Sequence, residues 1–122
     1  MTLNKLRNDI FDLATKQGFH GPGQDDLSRK LLLVVSECCE AMEAERNGKE
    51  PLGKETHKYL TNSLPTPEQF AEQLRGTIEE EIADAVIRLA DIAGMLGMDL
   101  DWWVQAKMIY NRNREHKHGK KY

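Results

Sequence analysis

The stretch EEIADAVIRLADIAGML, residues 80–96, decides how the chain folds. Ile78, Ile82, Ala85, Leu89, Ala93 and Leu96 recur every three or four residues, the period of an amphipathic α-helix. Thr77 and Glu80 offer a capping box at its start, and Gly97 supplies a stop. The polar side is the unusual part. Glu81, Asp84 and Asp91 fall in one row with Arg88 among them, and Met95 ends the row. A solvated helix face scatters its acids, so carboxylates stacked along one line need a cause.

Outward from this helix the same period recurs. Leu3, Leu6, Ile10 and Leu13 predict a first helix to about Lys16. The Gly- and Pro-rich stretch GFHGPGQDD (18–26) reads as a loop. A second helix starts near Asp25–Ser28 and runs to about Arg46, with Leu31, Val35, Cys38 and Met42 as its main stripe. Pro51, Gly53, Pro65 and Pro67 bound a polar segment that holds a short helix around Glu55–Leu60, and Thr66 with Pro67 opens a further one. A last helix runs from about Asp99 to Arg114, with Leu100, Trp103, Val104 and Met108 on one side and Trp103 expected in the core. No strand pattern and no repeat is present. The reading is all-α: one domain over residues 1–122, an antiparallel bundle of four main helices, with an inserted segment at about 47–76.

Composition bounds what such a bundle does. With 122 residues, 30% charged and 39% hydrophobic, it is a globular chain that buries only a modest core. The run LLLVV at 31–35 is apolar around the whole helix circumference, more than a small monomer covers, so a homo-oligomer is expected. No apolar run is long enough to cross a membrane, and the N-terminus is not a signal peptide. Cys38 and Cys39 are adjacent and form no CxxC pair, which suits a reduced, cytoplasmic setting. Residues 107–122 hold six Lys or Arg against one acid, a net +5, so the other 106 residues carry −8 of the formal −3. An acidic body with a basic end suits a site for cations beside one for an anion. Basic charge confined to the end argues against a nucleic-acid surface.

The second helix repeats the acid row. Glu37-x-x-Glu40 and Glu81-x-x-Asp84 each place two carboxylates on one helix face. Two such pairs on antiparallel helices can converge, and converging carboxylates repel unless a cation lies between them. Oxygen donors without His or Cys select Mg²⁺ or Mn²⁺ over zinc. The same pairs also occur as solvated acids, and both rows lie roughly opposite the main apolar stripes. Yet Leu33, Glu37, Glu40 and Ala44 share one line, so these acids continue an apolar edge that faces another helix. None of the four histidines stands three after a Glu on these helices, which sets aside a di-iron bundle. At the basic end Lys107, Asn111 and Arg114 share a face, followed by KHGKKY.

SECCEAMEAER, then EEEIADAVIRLADIAGMLGMDL, then KMIYNRNREHKHGKKY resembles the MazG-like, all-α nucleoside triphosphate pyrophosphohydrolases. The resemblance spans about residues 27–122 apart from the middle segment. It implies a homodimer or homotetramer that uses Mg²⁺, with Mn²⁺ as a substitute. Its activity would be cleavage of a nucleoside triphosphate, a dNTP or modified NTP, between the α and β phosphates, cleaning nucleotide pools. By that resemblance Glu37, Glu40, Glu81 and Asp84 match metal ligands, and Glu40 or Glu81 takes the catalytic proton. Lys107, Asn111, Arg114, His118, Gly119 and Lys120 match phosphate-side positions. Forty residues lie between Glu40 and Glu81, more than is usual for the motif, which bears on the substrate mouth. Rival readings are a relative acting on dUTP, dCTP or phosphoribosyl-ATP, and a non-catalytic helical oligomerisation module.

Overall fold

The computed structural model describes residues 2–53 and 64–114. Among them are five helices and no strand: α1 (Leu3–Lys16), α2 (Leu27–Arg46), α3 (Pro67–Gln73), α4 (Ile78–Met95) and α5 (Leu100–Arg112). None of these helices is long and apolar enough to cross a membrane. The expected helix around Glu55–Leu60 lies outside the described residues.

The helices begin where short polar side chains satisfy otherwise orphaned backbone N–H groups. Thr2, Asp26, Thr66, Thr77 and Asp99 each accept from the backbone N–H three residues on. Thr66 and Gln69 form a reciprocal capping box, with Pro67 in the first turn. The box expected at Thr77 forms by half. Glu80 N–H donates to Thr77 Oγ1 at 3.1 Å, but the Glu80 carboxylate reaches past Thr77 and accepts from Gly76 N–H at 2.9 Å.

α4 is the central element, packed against both α2 and α1, while α5 packs against the start of α1, an arrangement consistent with a bundle. The Lys30–Asp91 and Glu37–Arg88 ion pairs run in opposite directions along α2 and α4, so these two helices are antiparallel. α1 and α5 meet end to end through polar side chains. Asp101 accepts from Leu3 N–H at 3.0 Å and Asn4 N–H at 3.1 Å, and Leu100 N–H donates to Asn4 Oδ1 at 2.8 Å. Arg7 adds a hydrogen bond to the Met98 carbonyl.

Among the described residues the buried apolar ones are Ala85, Ala90, Ile92 and Ala93, all on α4 and three of the four alanines. Small side chains let helices approach closely. At Gly94 a Cβ would lie 2.7 Å from Phe11 Cβ on α1. That neighbour is held by its own backbone and cannot yield. Gly94→Ala is therefore expected to destabilise by about 1–2 kcal/mol, the overpacking cost outweighing the gain in helix propensity. A denaturant titration reads it; a stabilised variant would mean that α1 shifts freely.

The apolar stripes are buried only in part: Ala85 and Ala93 of the α4 stripe lie in the core, but the larger side chains do not. Leu31, Val35 and Met42 of α2 are 44%, 54% and 62% exposed, and Ile82 and Leu89 of α4 are 55% and 49% exposed. Trp103, expected in the core, is 55% exposed, as is its edge-on neighbour Trp102. The faces that α2 and α4 turn towards each other carry the acid rows instead. Within one chain the large apolar side chains of both stripes remain largely exposed.

Candidate metal centre

Antiparallel packing of α2 on α4 brings the two acid rows into register. Glu37, Glu40 and Glu81 each place one carboxylate oxygen within 4.8 Å of the others. Mg²⁺–oxygen bonds of about 2.1 Å set octahedral ligands about 3–4 Å apart, so the trio needs only a small closure to share one ion. Glu37 is buried among these helices, at 7% exposure. Glu81 Oε2 is buried and, among the described residues, has no hydrogen-bond partner. Such an oxygen costs stability unless something positive or protic meets it.

The protonation of the trio shows the same demand. Burial, then hydrogen bonding to Glu40 and the Glu40 charge, push the Glu81 carboxyl up to about 7. A proton on Glu81 donated to a neighbouring carboxylate is the cheapest substitute for a cation. Glu37 moves the other way: its hydrogen bond from Arg88 outweighs burial and holds it below the usual carboxylate range. Arg88 Nε donates to Glu37 Oε1 at 2.7 Å. Pair formation across α2 and α4 therefore keeps one of the three acids ionised in the absence of metal.

Asp84, the fourth expected ligand, is not in the trio. Its carboxyl is raised by burial, then by the charges of Glu37 and Glu80. It lines a neighbouring cleft of about 450 Å³ together with Glu37, Arg88 and Asp91. Apolar walls from Leu13, Phe19, Leu33 and Ile87 and the cations Arg29 and Lys30 complete that cleft, which lies between α1, α2 and α4.

Two basic residues, Lys107 on α5 and Arg114 just past its end, lie over an aromatic ring. Lys107 Nζ lies 4.5 Å from the centre of the Tyr110 ring and the Arg114 guanidinium 5.6 Å from it. Asn111 is on the same helix, and its carbonyl accepts from Arg114 N–H. No hydrogen bond or ion pair among the described residues joins these three side chains to the carboxylates. His118, Gly119 and Lys120 lie outside the described residues.

One cluster escaped the sequence reading. His20, in the Gly-rich loop before α2, sits with its side chain 6% exposed between Asp25 (Nδ1 to Oδ1, 2.6 Å) and Asp91 (Nε2 to Oδ1, 2.7 Å), stacked on Phe11. Lys30 is 3.8 Å from Asp91. Burial pulls the His20 pKa down, but hydrogen bonds to both acids and the Asp91 charge outweigh it, with Lys30 opposing, and the net shift is upward. A raised histidine contributes stability that is fully present below the unfolded pKa near 6.5 and is lost as pH rises through the folded value. His20→Gln should flatten that part of the stability–pH profile above pH 6.5. Identical slopes for wild type and variant would remove His20 from the account.

Comparison of the chain with protein-family models, curated proteins and solved structures finds no match.

Proposed function

We propose that the protein is a Mg²⁺-dependent nucleoside triphosphate pyrophosphohydrolase, releasing a monophosphate and pyrophosphate. The observation that carries this reading is the trio Glu37, Glu40 and Glu81, with an unpartnered buried oxygen on Glu81. Three carboxylates, with no His or Cys among them, fit a hard cation. A bound Mg²⁺ supplies neutralisation of the triphosphate and a more acidic water. Glu40 or Glu81 takes the proton from the water that attacks the α-phosphorus. The cleft beside the trio has the size and mixed apolar and polar lining of a small-molecule site, and it accommodates the nucleoside. The place of Lys107, Asn111, Arg114, His118, Gly119 and Lys120 at the leaving pyrophosphate rests on the resemblance alone, as does that of Asp84 at the metal.

The chain works as a homodimer or homotetramer in this reading. Leu31, Leu32 and Val35 on α2 and Ile82, Val86 and Leu89 on α4 are all exposed in the single chain. Large apolar side chains left exposed at helical spacing on two packed helices suit an interface. Light scattering at micromolar concentration should return at least twice the 14.0 kDa chain mass; a monomer would refute assembly. Cys38 and Cys39 are both free, which suits a reducing, cytoplasmic location. A purely structural oligomerisation module would use the same apolar faces, but it gives no reason for three carboxylates brought within 4.8 Å of one another, Glu37 buried, Glu81 half-buried and Glu40 exposed.

The test is a screen of common and modified nucleoside triphosphates, with dUTP, dCTP and phosphoribosyl-ATP included, read by pyrophosphate release with and without Mg²⁺. Metal-dependent release from at least one substrate supports the reading and names the base. No release across the panel overturns it.

A further inference from the structure

Among the described residues Arg88 is the cation that pairs with the trio, and none of the roles assigned above uses it. Its Nε is fixed by Glu37 Oε1 at 2.7 Å, while the side chain remains 41% exposed. Among the described residues its two terminal amino groups have no hydrogen-bond partner. Arg88 lines the same cleft as Glu37, Asp84 and Lys30. A guanidinium anchored by one edge keeps its remaining N–H groups in a set direction, and their fork matches two oxygens of a phosphate. An anchored arginine also loses less freedom on binding than a loose one.

We propose that Arg88 binds the phosphate chain of the ligand in this cleft, held in place by Glu37, which would thereby link the cation site to the anion site. The inference rests on the proposed function and adds to it a phosphate ligand from α4, on the helix that carries Glu81. Lys30 is engaged towards Asp91 and the Phe19 carbonyl, so it is less free for this task. Removing the Arg88 charge leaves the three carboxylates without the one counter-ion paired with them among the described residues, which favours a divalent cation at the trio. Loss of Arg88 therefore acts on the two ligands in opposite directions, a signature that simple loss of structure does not produce.

The experiment uses the full chain as wild type, Arg88→Met and Arg88→Lys, with helical content checked by circular dichroism. Mn²⁺ affinity is read by electron paramagnetic resonance, and affinity for inorganic pyrophosphate at saturating Mg²⁺ by calorimetry. Arg88→Met is expected to bind pyrophosphate at least about tenfold more weakly and Mn²⁺ no more weakly than wild type, with Arg88→Lys between the two for pyrophosphate. Wild type and Arg88→Met binding pyrophosphate alike would overturn the role of Arg88 and leave the proposed function standing. A wild type that binds neither Mn²⁺ nor pyrophosphate would overturn both. Should Arg88→Met not fold, Arg88→Lys decides: unchanged pyrophosphate affinity in that variant counts against the fork, and a loss of affinity without a loss of Mn²⁺ binding supports it.

Discussion

Glu81→Gln is expected to abolish turnover while making the cation-free protein more stable. The two effects have one origin. Glu81 belongs to a trio whose oxygens lie within 4.8 Å of each other, and its carboxyl titrates at about 7 because burial and the Glu40 charge resist ionisation. An acid raised in this way is comfortable while protonated and becomes a burden as pH rises from its unfolded value near 4.5 through 7. Glutamine keeps the shape, carries no charge, and offers an amide that donates to Glu37 or Glu40. The melting temperature of the metal-free variant should therefore exceed that of wild type at pH 8, with a smaller difference at pH 6. Millimolar Mg²⁺ should raise the melting temperature of wild type by mass action and leave the variant nearly unmoved. Turnover should fall by at least about a thousandfold, since a charged ligand and a candidate base are lost together. Calorimetric melts at two pH values with and without Mg²⁺ check the first part, and pyrophosphate release checks the second. A destabilised metal-free variant with normal turnover would remove Glu81 from both roles.

At the basic end the expected pattern is the reverse: a large loss of activity with little change in stability. Arg114, two residues past the end of α5, lies near the Tyr110 ring, a contact worth about 0.5–1 kcal/mol. Arg114→Ala should thus move the melting temperature by only a few degrees. If the side chain meets charge that develops on the leaving pyrophosphate, its loss costs about 2–4 kcal/mol of transition-state stabilisation, and kcat/KM should drop at least about tenfold. Deletion of residues 117–122 should do the same or more. Because Lys107, Asn111 and Arg114 share no ion pair with the trio, this experiment bears on whether the resemblance transfers to the basic end. Unchanged kcat/KM in both variants would confine the chemistry to α2, α4 and the cleft.

The helices were legible in the sequence because their signals are local. Thr2, Asp26, Thr66, Thr77 and Asp99 cap where short polar residues precede an apolar period, and the helix limits follow within a residue or two. Convergence of Glu37, Glu40 and Glu81 was legible for a related reason: residues three apart share a face, and antiparallel neighbours bring two faces together. Which face each helix buries was not. Periodicity ranks the sides of α2 by hydrophobicity, so Leu31, Val35 and Met42 look like core. The chain instead packs Glu37 inward and leaves that stripe uncovered. Periodicity cannot tell a face covered by the same chain from one covered by another. Asp84 fell outside the trio because the shared face of an i, i+3 pair sets direction and leaves the final distance to packing. Two other contacts between distant segments carried no sequence signal. Asn4 with Leu100, and His20 with Asp91, join residues 96 and 71 apart in the chain, and nothing in GFHGPGQDD marks its histidine as the one to be clasped by two acids.

The central claim is that the acid trio directs water to the α-phosphorus of a nucleoside triphosphate, and turnover in ¹⁸O-labelled water tests it most directly. With Mg²⁺ and the best substrate of the screen, mass spectrometry of the products should find one ¹⁸O in the nucleoside monophosphate and none in the pyrophosphate. Label in pyrophosphate or in orthophosphate, or Mg²⁺-independent hydrolysis, would contradict it.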